Sequence, residues 1–393
     1  MLNVQTIVLE CPKRKKLAYQ LSIDLTDFSP DSHQVSIIGP GGREVAHSST
    51  DGGVQFEECD GPGVARFQAV VRDRSDSDQP KDNLTIEVVL LPQTEQAVRN
   101  AIGAAIEAMK VQVYGGSYNA PDAAPEAARL QTSFGEMAAV ELLRRLAFER
   151  SDTISVLRPL LLLRGLVGRP AAQWLPPMVF AATGDLAGSI SHWGTAHCLL
   201  DVFERLALPA DQKWFYLMRA AQDLQCDRGR AFSLLSKITP AEYRTATASA
   251  VLEMCTMVVD GRQQACELFQ ESGYAPAAPQ VIEWMEADQS VIGTGCAFLI
   301  KVDYRAAAER LRDLFERSDS SYCAVANCLA TWQDTEAVPV ILKKLASIGV
   351  TYADDLVRTL LRFGLEVVPQ IEKIQRKSAP DKAKRIQDAL AAR

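Results

Sequence analysis

Histidine is scarce in this chain, with four residues in 393. No HExxH occurs, and Cys323 and Cys328 stand too far apart for a CxxC knuckle. The glycine-rich "GPGG" at Gly39–Gly42 has no Lys-Ser or Lys-Thr behind it. These absences remove the sequence marks of a zinc peptidase, a zinc knuckle and a phosphate-binding loop, each of which needs its donors at a fixed spacing. A basic excess is missing as well. The 42 Lys and Arg stand against 49 Asp and Glu, a formal charge of −7, which argues against a dedicated nucleic-acid binder. The most apolar stretch, "SVLRPLLLLRGLVG", is cut by Arg158 and Arg164, short of the roughly 18 apolar residues of a membrane span. "MLNVQTIVLE" lacks the basic start and apolar core of a secretory signal, and the nine cysteines are scattered rather than framed for disulfides. A soluble, cytoplasmic chain is expected.

What is present falls into two textures. Up to about Pro92 the apolar residues recur with period two, the spacing of a strand with one buried face. Leu17, Tyr19, Leu21, Ile23 and Leu25 alternate with polar or small residues; Ala65, Phe67, Ala69 and Val71, then Leu84, Ile86, Val88 and Leu90, repeat the habit. Turn clusters such as "GPGG" and "DGPG" separate them. Six or seven short strands over residues 1–92 predict a β-sandwich of the immunoglobulin-like kind. Cys11 and Cys59 have no tryptophan between them, so the antibody disulfide pattern is absent. Residues 93–125 read as a helix, "QTEQAVRNAIGAAIEAMK", and a linker, "YGGSYNAPDAAPEAA". Residues 126–271 are helical without a regular repeat.

Residues 272–393 repeat in steps of thirty. Val281, Leu311, Ile341 and Ile371 form one column, Trp284, Leu314, Lys344 and Ile374 another, and Pro279, Glu309, Pro339 and Pro369 a third. Cys296, Ala326, Leu356 and Ile386 continue the register in a second helix. Each step is a helical hairpin, and stacked hairpins make a solenoid, because one unit cannot bury its own apolar face. "DTEAVPVILKKL" resembles a helix of the HEAT-repeat family in its short bacterial form, with an acidic start, Glu-Ala-Val-Pro and an aliphatic run. The resemblance covers residues 272–393 and implies an α-solenoid that binds proteins. Pro339 either marks the helix entrance, where a missing N–H costs little, or, if the helix starts at Asp334 or Thr335, lies past the first turn and bends it.

Few residues are left for chemistry. His192 and His197 in "SHWGTAH" stand five apart, about 140° around a helix, whereas metal-binding pairs sit four apart. Cys323 and Cys328 read as small packed thiols. "GTG" at Gly293–Gly295 opens a repeat helix and lacks the strand that a dinucleotide fingerprint needs. "PKRKK" at Pro12–Lys16 reads as a solvated hairpin tip. In residues 364–393, seven Lys and Arg exceed four Asp and Glu, a net +3, as a polar terminal cap allows. Glu283, Asp313, Lys343 and Lys373 share a column, so Asp313 and Lys343 are candidates for an ion pair between neighbouring units. The sequence supplies no cofactor motif, metal set or catalytic residues.

The expected function is a non-enzymatic scaffold or adaptor that binds a protein partner on a solenoid surface, with Trp193 and Trp332 as candidate contact residues because the repeat does not require them. The bland reading makes both tryptophans core. Two alternatives come from other classes: a nucleic-acid-associated solenoid, similar to alkyl-base glycosylases built from related repeats, and an enzyme with a dispersed site around Trp174, His192, Trp193 and His197.

Overall fold

A computed structural model describes residues 4–11, 19–22, 33–39, 42, 44–47, 53–56, 62–73, 76–114, 117–149, 151–166, 193–205, 208–223, 227–317 and 322–392. The chain divides into two compact units, Met1–Leu234 and Leu235–Arg393. Among the described residues no helix is long and apolar enough to cross a membrane. The basic "PKRKK" segment lies outside the described residues.

The first unit opens with strands β1 (Val4–Glu10), β2 (Tyr19–Ser22), β3 (His33–Ile38), β4 (Glu44–His47), β5 (Gly53–Phe56), β6 (Gly63–Asp73) and β7 (Asp76–Leu91). Five of them form one sheet in the order β1-β7-β6-β3-β4, and β2 pairs with β5 in a separate two-stranded ladder. The sheet is mixed. β1 runs parallel to β7, from Val4 opposite Thr85 to Glu10 opposite Leu91, and the other pairs are antiparallel. The β6–β7 register shifts near Arg72, which stands opposite Pro80, a residue that cannot donate to the ladder. "GPGG" joins β3 to β4, and Gly42 there has φ 72°, a left-handed turn conformation suited to glycine.

One face of this sheet follows the alternation in the sequence: Ile37, Phe67, Ala69, Val71, Ile86, Val88 and Leu90 pack in one cluster. The opposite face is covered too, since Val70, Glu87, Val89 and Leu91 are buried. The described strands do not show the expected sandwich. Strand alternation fixes which residues share a face but not what lies across from it. Here a helix reaches the second face through polar side chains.

That helix is one of seven among the described residues of the first unit: α1 (Gln96–Ala108), α2 (Ala124–Phe134), α3 (Glu136–Phe148), α4 (Thr153–Leu166), α5 (Trp193–Arg205), α6 (Ala210–Asp223) and α7 (Arg228–Ile238), the last of which ends across the unit boundary. The expected linker holds a short hairpin, β8 (Gln112–Tyr114) with β9 (Ser117–Asn119). The stretch "SFGEMAAVELLRRLAFER" holds the end of α2 and the whole of α3, separated at Gly135 with φ 56°. Glu87 is fully buried on β7, and its carboxylate accepts from Arg66 at 2.8 Å, from the Tyr216 hydroxyl at 3.0 Å and from Arg219 at 3.4 Å. Arg219 also donates to Thr6 at 2.7 Å, and the Arg66 guanidinium lies near the Phe215 and Tyr216 rings. Burial pushes the Tyr216 phenol up, and the Glu87 charge adds to the shift.

A second buried carboxylate, Glu141 on α3, ties the strand-to-helix junction. It accepts from Thr94 at 2.6 Å, from Arg144 through both oxygens at 2.8 Å and from Arg145 at 3.1 Å. Burial opposes its ionisation, but the Arg144 and Thr94 hydrogen bonds with the two arginine charges hold the carboxyl below its ordinary range. Arg145 also donates to the Arg99 carbonyl of α1. Buried charges are tolerated only when paired and hydrogen-bonded in this way.

The second unit is a stack of helical hairpins: α8 (Arg244–Met257) with α9 (Arg262–Ser272), α10 (Ala278–Ala287) with α11 (Ile292–Lys301), α12 (Ala308–Arg317) with α13 (Tyr322–Thr331), α14 (Ala337–Ser347) with α15 (Ala353–Leu361), and α16 (Val368–Gln375) with α17 (Pro380–Ala391). The second helices pack in sequence, α9 on α11, α11 on α13, α13 on α15 and α15 on α17, while α12 packs on α14 and α14 on α16. Val281, Leu311, Ile341 and Ile371 are fully buried, as the thirty-residue register predicts, and so are Ala277, Ala307 and Ala337. The array begins a hairpin earlier than residue 272. Although α8 has 14 residues where α10 and α12 have 10, that hairpin keeps the thirty-residue step: buried Val251 and Met254, then Cys266 and Phe269, stand thirty before Val281, Trp284, Cys296 and Leu299.

The prolines sit at helix entrances. Pro279 and Pro369 follow a 3₁₀ turn and lie in the first two positions of α10 and α16; Pro339 is the third residue of α14, which starts at Ala337. Their missing N–H groups belong to the first turn, where no intrahelical acceptor is available. Gly295 has a different task. A Cβ there would lie 2.5 Å from Met285 Sδ and 3.2 Å from Val281, so glycine permits the close approach of α10 and α11.

Candidate functional site

A group of interacting titratable side chains that includes a histidine lies in the first unit, where α4, α5 and the start of α7 meet. His197 on the second turn of α5 places Nδ1 3.0 Å from Asp227 Oδ2 and Nε2 3.9 Å from Asp201 Oδ1. Asp201 follows His197 by four residues, one turn along the same face. It also meets Arg230 at 2.5 Å and Arg164 at 3.4 Å, and Arg230 extends to Glu204 at 2.8 Å.

Asp227 precedes α7 with φ 57°, a conformation that aspartate tolerates better than most residues, and its carbonyl accepts from the Arg230 and Ala231 amides. The turn thus fixes the carboxylate beside the imidazole. On β9, the Tyr118 phenol is pushed up by burial first and by Cys198 and Asp201, against the pull of a hydrogen-bonded Arg164.

Chemically, a carboxylate on Nδ1 orients an imidazole for proton transfer. A nucleophile is a separate requirement. Cys198, next in sequence to His197, is fully buried with its thiol pushed up to about 12, mainly by burial, so it offers no thiolate at neutral pH. Among the described residues, no group of three or more His, Cys, Asp or Glu is placed to hold a metal ion.

Trp174 and His192 lie outside the described residues, and Trp193 is described only as the first residue of α5. His197 is therefore the member of that quartet whose side chain has a described setting. Trp332 is 5 % exposed, packed just beyond α13, with its indole N–H buried and without a hydrogen-bond partner. Its carbonyl accepts from Arg305 at 3.5 Å. That is the setting of a core residue. Asp201, Asp227 and Arg230 carry no local sequence signal as a site. The one readable hint is the four-residue spacing of His197 and Asp201.

The charged column of the second unit is exposed to solvent: Glu283, Asp313, Lys343 and Lys373 all lie on the outer side of their helices. Lys343 pairs with Glu316 at 3.2 Å, one helical turn beyond Asp313, and Arg310 pairs with Glu286 at 2.6 Å. Equivalence in a repeat leaves the axial offset between neighbouring helices open, and long side chains bridge that offset. Within the basic C-terminal hairpin, Lys382 donates to the Ala346 and Ile348 carbonyls at the end of α14, and Arg385 to the Thr351 carbonyl. Burial pushes the Lys382 ammonium down. These two cations close the preceding hairpin, the role expected of basic residues at a helix C-terminus.

Comparisons with models of known protein families, with curated proteins and with solved structures found no match to this chain.

Proposed function

We propose that the chain is a non-enzymatic protein-interaction scaffold whose helical hairpins form a HEAT-like α-solenoid. The observation that carries this reading is the division of labour along the hairpins. The same positions are buried in each unit (Val281, Leu311, Ile341, Ile371), whereas the exposed positions change character from hairpin to hairpin. Residues consumed by stacking are constant in type, and those left for recognition vary. The finer reading of the N-terminal strands, an immunoglobulin-like sandwich with the β2–β5 ladder in its second layer, is supported by the approach of β5 to the edge strand β4. Buried thiols at Cys266, Cys296 and Cys328 suit a reducing, cytoplasmic setting. Trp193 is the contact candidate kept from the sequence; burial makes Trp332 the weaker of the two.

The test is chemical cross-linking of the full chain in its source cells, followed by mapping of the cross-linked peptides. The scaffold reading expects one protein in near-stoichiometric amount, with cross-links concentrated on exposed residues of the hairpins. Cross-links scattered over many proteins, with none near stoichiometric, count against it.

A second reading, an enzyme using His197, is favoured by the 3.0 Å contact with Asp227. It is the lesser reading because the adjacent thiol is buried and protonated. Replacing His197 with Gln and finding the cross-linked partner unchanged is the scaffold's expectation.

A further inference from the structure

The exposed column on the first helices of four successive hairpins changes sign halfway: Glu283 and Asp313 are acidic, Lys343 and Lys373 basic. Its surroundings are mixed, so the division is carried by the column itself: exposed Glu286, Glu309 and Glu316 lie in the acidic half beside Arg310 and exposed Arg317, and exposed Arg376 and Lys377 lie in the basic half beside exposed Glu336 and Glu366. Neighbouring helices pack about 8–10 Å apart, so the column is a narrow stripe with two oppositely charged ends. A polyanion or a uniformly basic segment would match one end and be repelled by the other. A second stripe of the same kind, turned end to end, matches both.

We propose that this face docks a second copy of the chain in antiparallel orientation, about a two-fold axis between Asp313 and Lys343. Each Glu283 then faces Lys373 of the other copy, and each Asp313 faces Lys343. All four contacts join opposite charges, which is the self-complementarity that an isologous interface requires. The intramolecular Lys343–Glu316 pair does not withhold the lysine, because Lys343 is 79 % exposed and such pairs are strongly screened by solvent. The interface is therefore weak and sensitive to salt, since screening lengths fall from about 30 Å at 0.01 M ionic strength to about 8 Å at 0.15 M. This inference rests on the reading of the hairpin surface as a protein-binding one and names one partner for it.

The test is sedimentation velocity of the full chain over a concentration series at low and high salt, with three variants whose folding is checked by circular dichroism melts. Wild type is expected to dimerise at low salt and dissociate at high salt. The all-basic E283K/D313K and the all-acidic K343E/K373E should each self-associate at least about tenfold more weakly, the factor carried by 1.4 kcal/mol. Mixed together they should dimerise, and E283K/D313K/K343E/K373E, which exchanges the two ends, should recover self-association. If a charge reversal fails to fold, the neutral K343Q/K373Q takes its place with the same expectation of weaker dimers. Wild type that stays monomeric at low salt, or single-sign variants that dimerise as well as wild type, overturns the proposal. A monomeric chain that still cross-links to a different protein across its hairpins leaves the scaffold reading standing; a chain with neither interaction defeats both.

Discussion

The interiors of the two units of this chain are built differently. In Leu235–Arg393 the interior is a set of apolar columns, and each hairpin leans on its neighbours through the same positions. In Met1–Leu234 the strands have an apolar cluster on one face, but their link to the helices runs through buried carboxylates, Glu87 and Glu141, each ringed by arginine and hydroxyl donors. An apolar column tolerates graded loss because its members are alike. A buried charge network fails abruptly, because removing one partner leaves another charge buried without compensation.

The largest expected effect breaks that network. Glu87→Ala removes the buried carboxylate shared by Arg66, Tyr216 and Arg219, whose side chain is 6 % exposed, and is expected to cost about 3–5 kcal/mol, read as a lowered denaturation midpoint. Loss of less than half that range would show that water solvates the arginine and that the contrast between the units is overstated. Next comes Ile341→Ala, which empties a fully buried site in the column at about 2–5 kcal/mol. Its effect should be local, strongest in the hairpins α12–α13, α14–α15 and α16–α17, since repeat stability is a sum of nearest-neighbour terms.

Acid sharpens the comparison further. The folded Glu141 carboxyl is held below its ordinary range, so its contribution is fully present above the unfolded value of about 4.3. It is lost as pH falls through the folded value. Glu141→Gln should be less stable than wild type at neutral pH, and the gap should close on acidification; a gap that stays constant would contradict the linkage. The smallest effect belongs to Lys343→Ala, expected to change folding stability by about 0–1 kcal/mol because its ion pair is exposed. A melt displaced as far as that of Ile341→Ala would mean that the helix face has been misassigned.

Much of the second unit was legible in the sequence because its interactions are local and repeated. The thirty-residue columns named the buried positions directly, and the prolines marked helix entrances. The hairpin α8–α9 holds the same register, with Val251 and Cys266 thirty before Val281 and Cys296, but the 14-residue α8 and the absence of a proline in its first turn hide the likeness. In the first unit, alternation identified the members of one sheet face, Phe67 and Ala69 against Ile86 and Val88 among them. It left open the parallel pairing of β1 with β7 and the helix behind the sheet. Both depend on contacts between distant residues: Glu87 meets Tyr216 and Arg219 more than a hundred positions away, and His197 meets Asp227 thirty positions on. A polar residue in a strand or loop carries no local sign that a partner will arrive from elsewhere. The bridging of Lys343 to Glu316 rather than Asp313 has the same origin, since side-chain reach and helix offset are tertiary quantities.

The most direct test of this account is hydrogen–deuterium exchange by mass spectrometry on the full chain, comparing wild type with Glu87→Ala and Ile341→Ala. Glu87→Ala is predicted to lose protection together across β1, β6, β7 and α6, while residues 308–391 keep theirs. Ile341→Ala is predicted to lose protection in a gradient centred on α14. A uniform loss across both units in either variant would contradict the claim that a buried charge network ties strands to helix in one unit while stacked apolar columns hold the other.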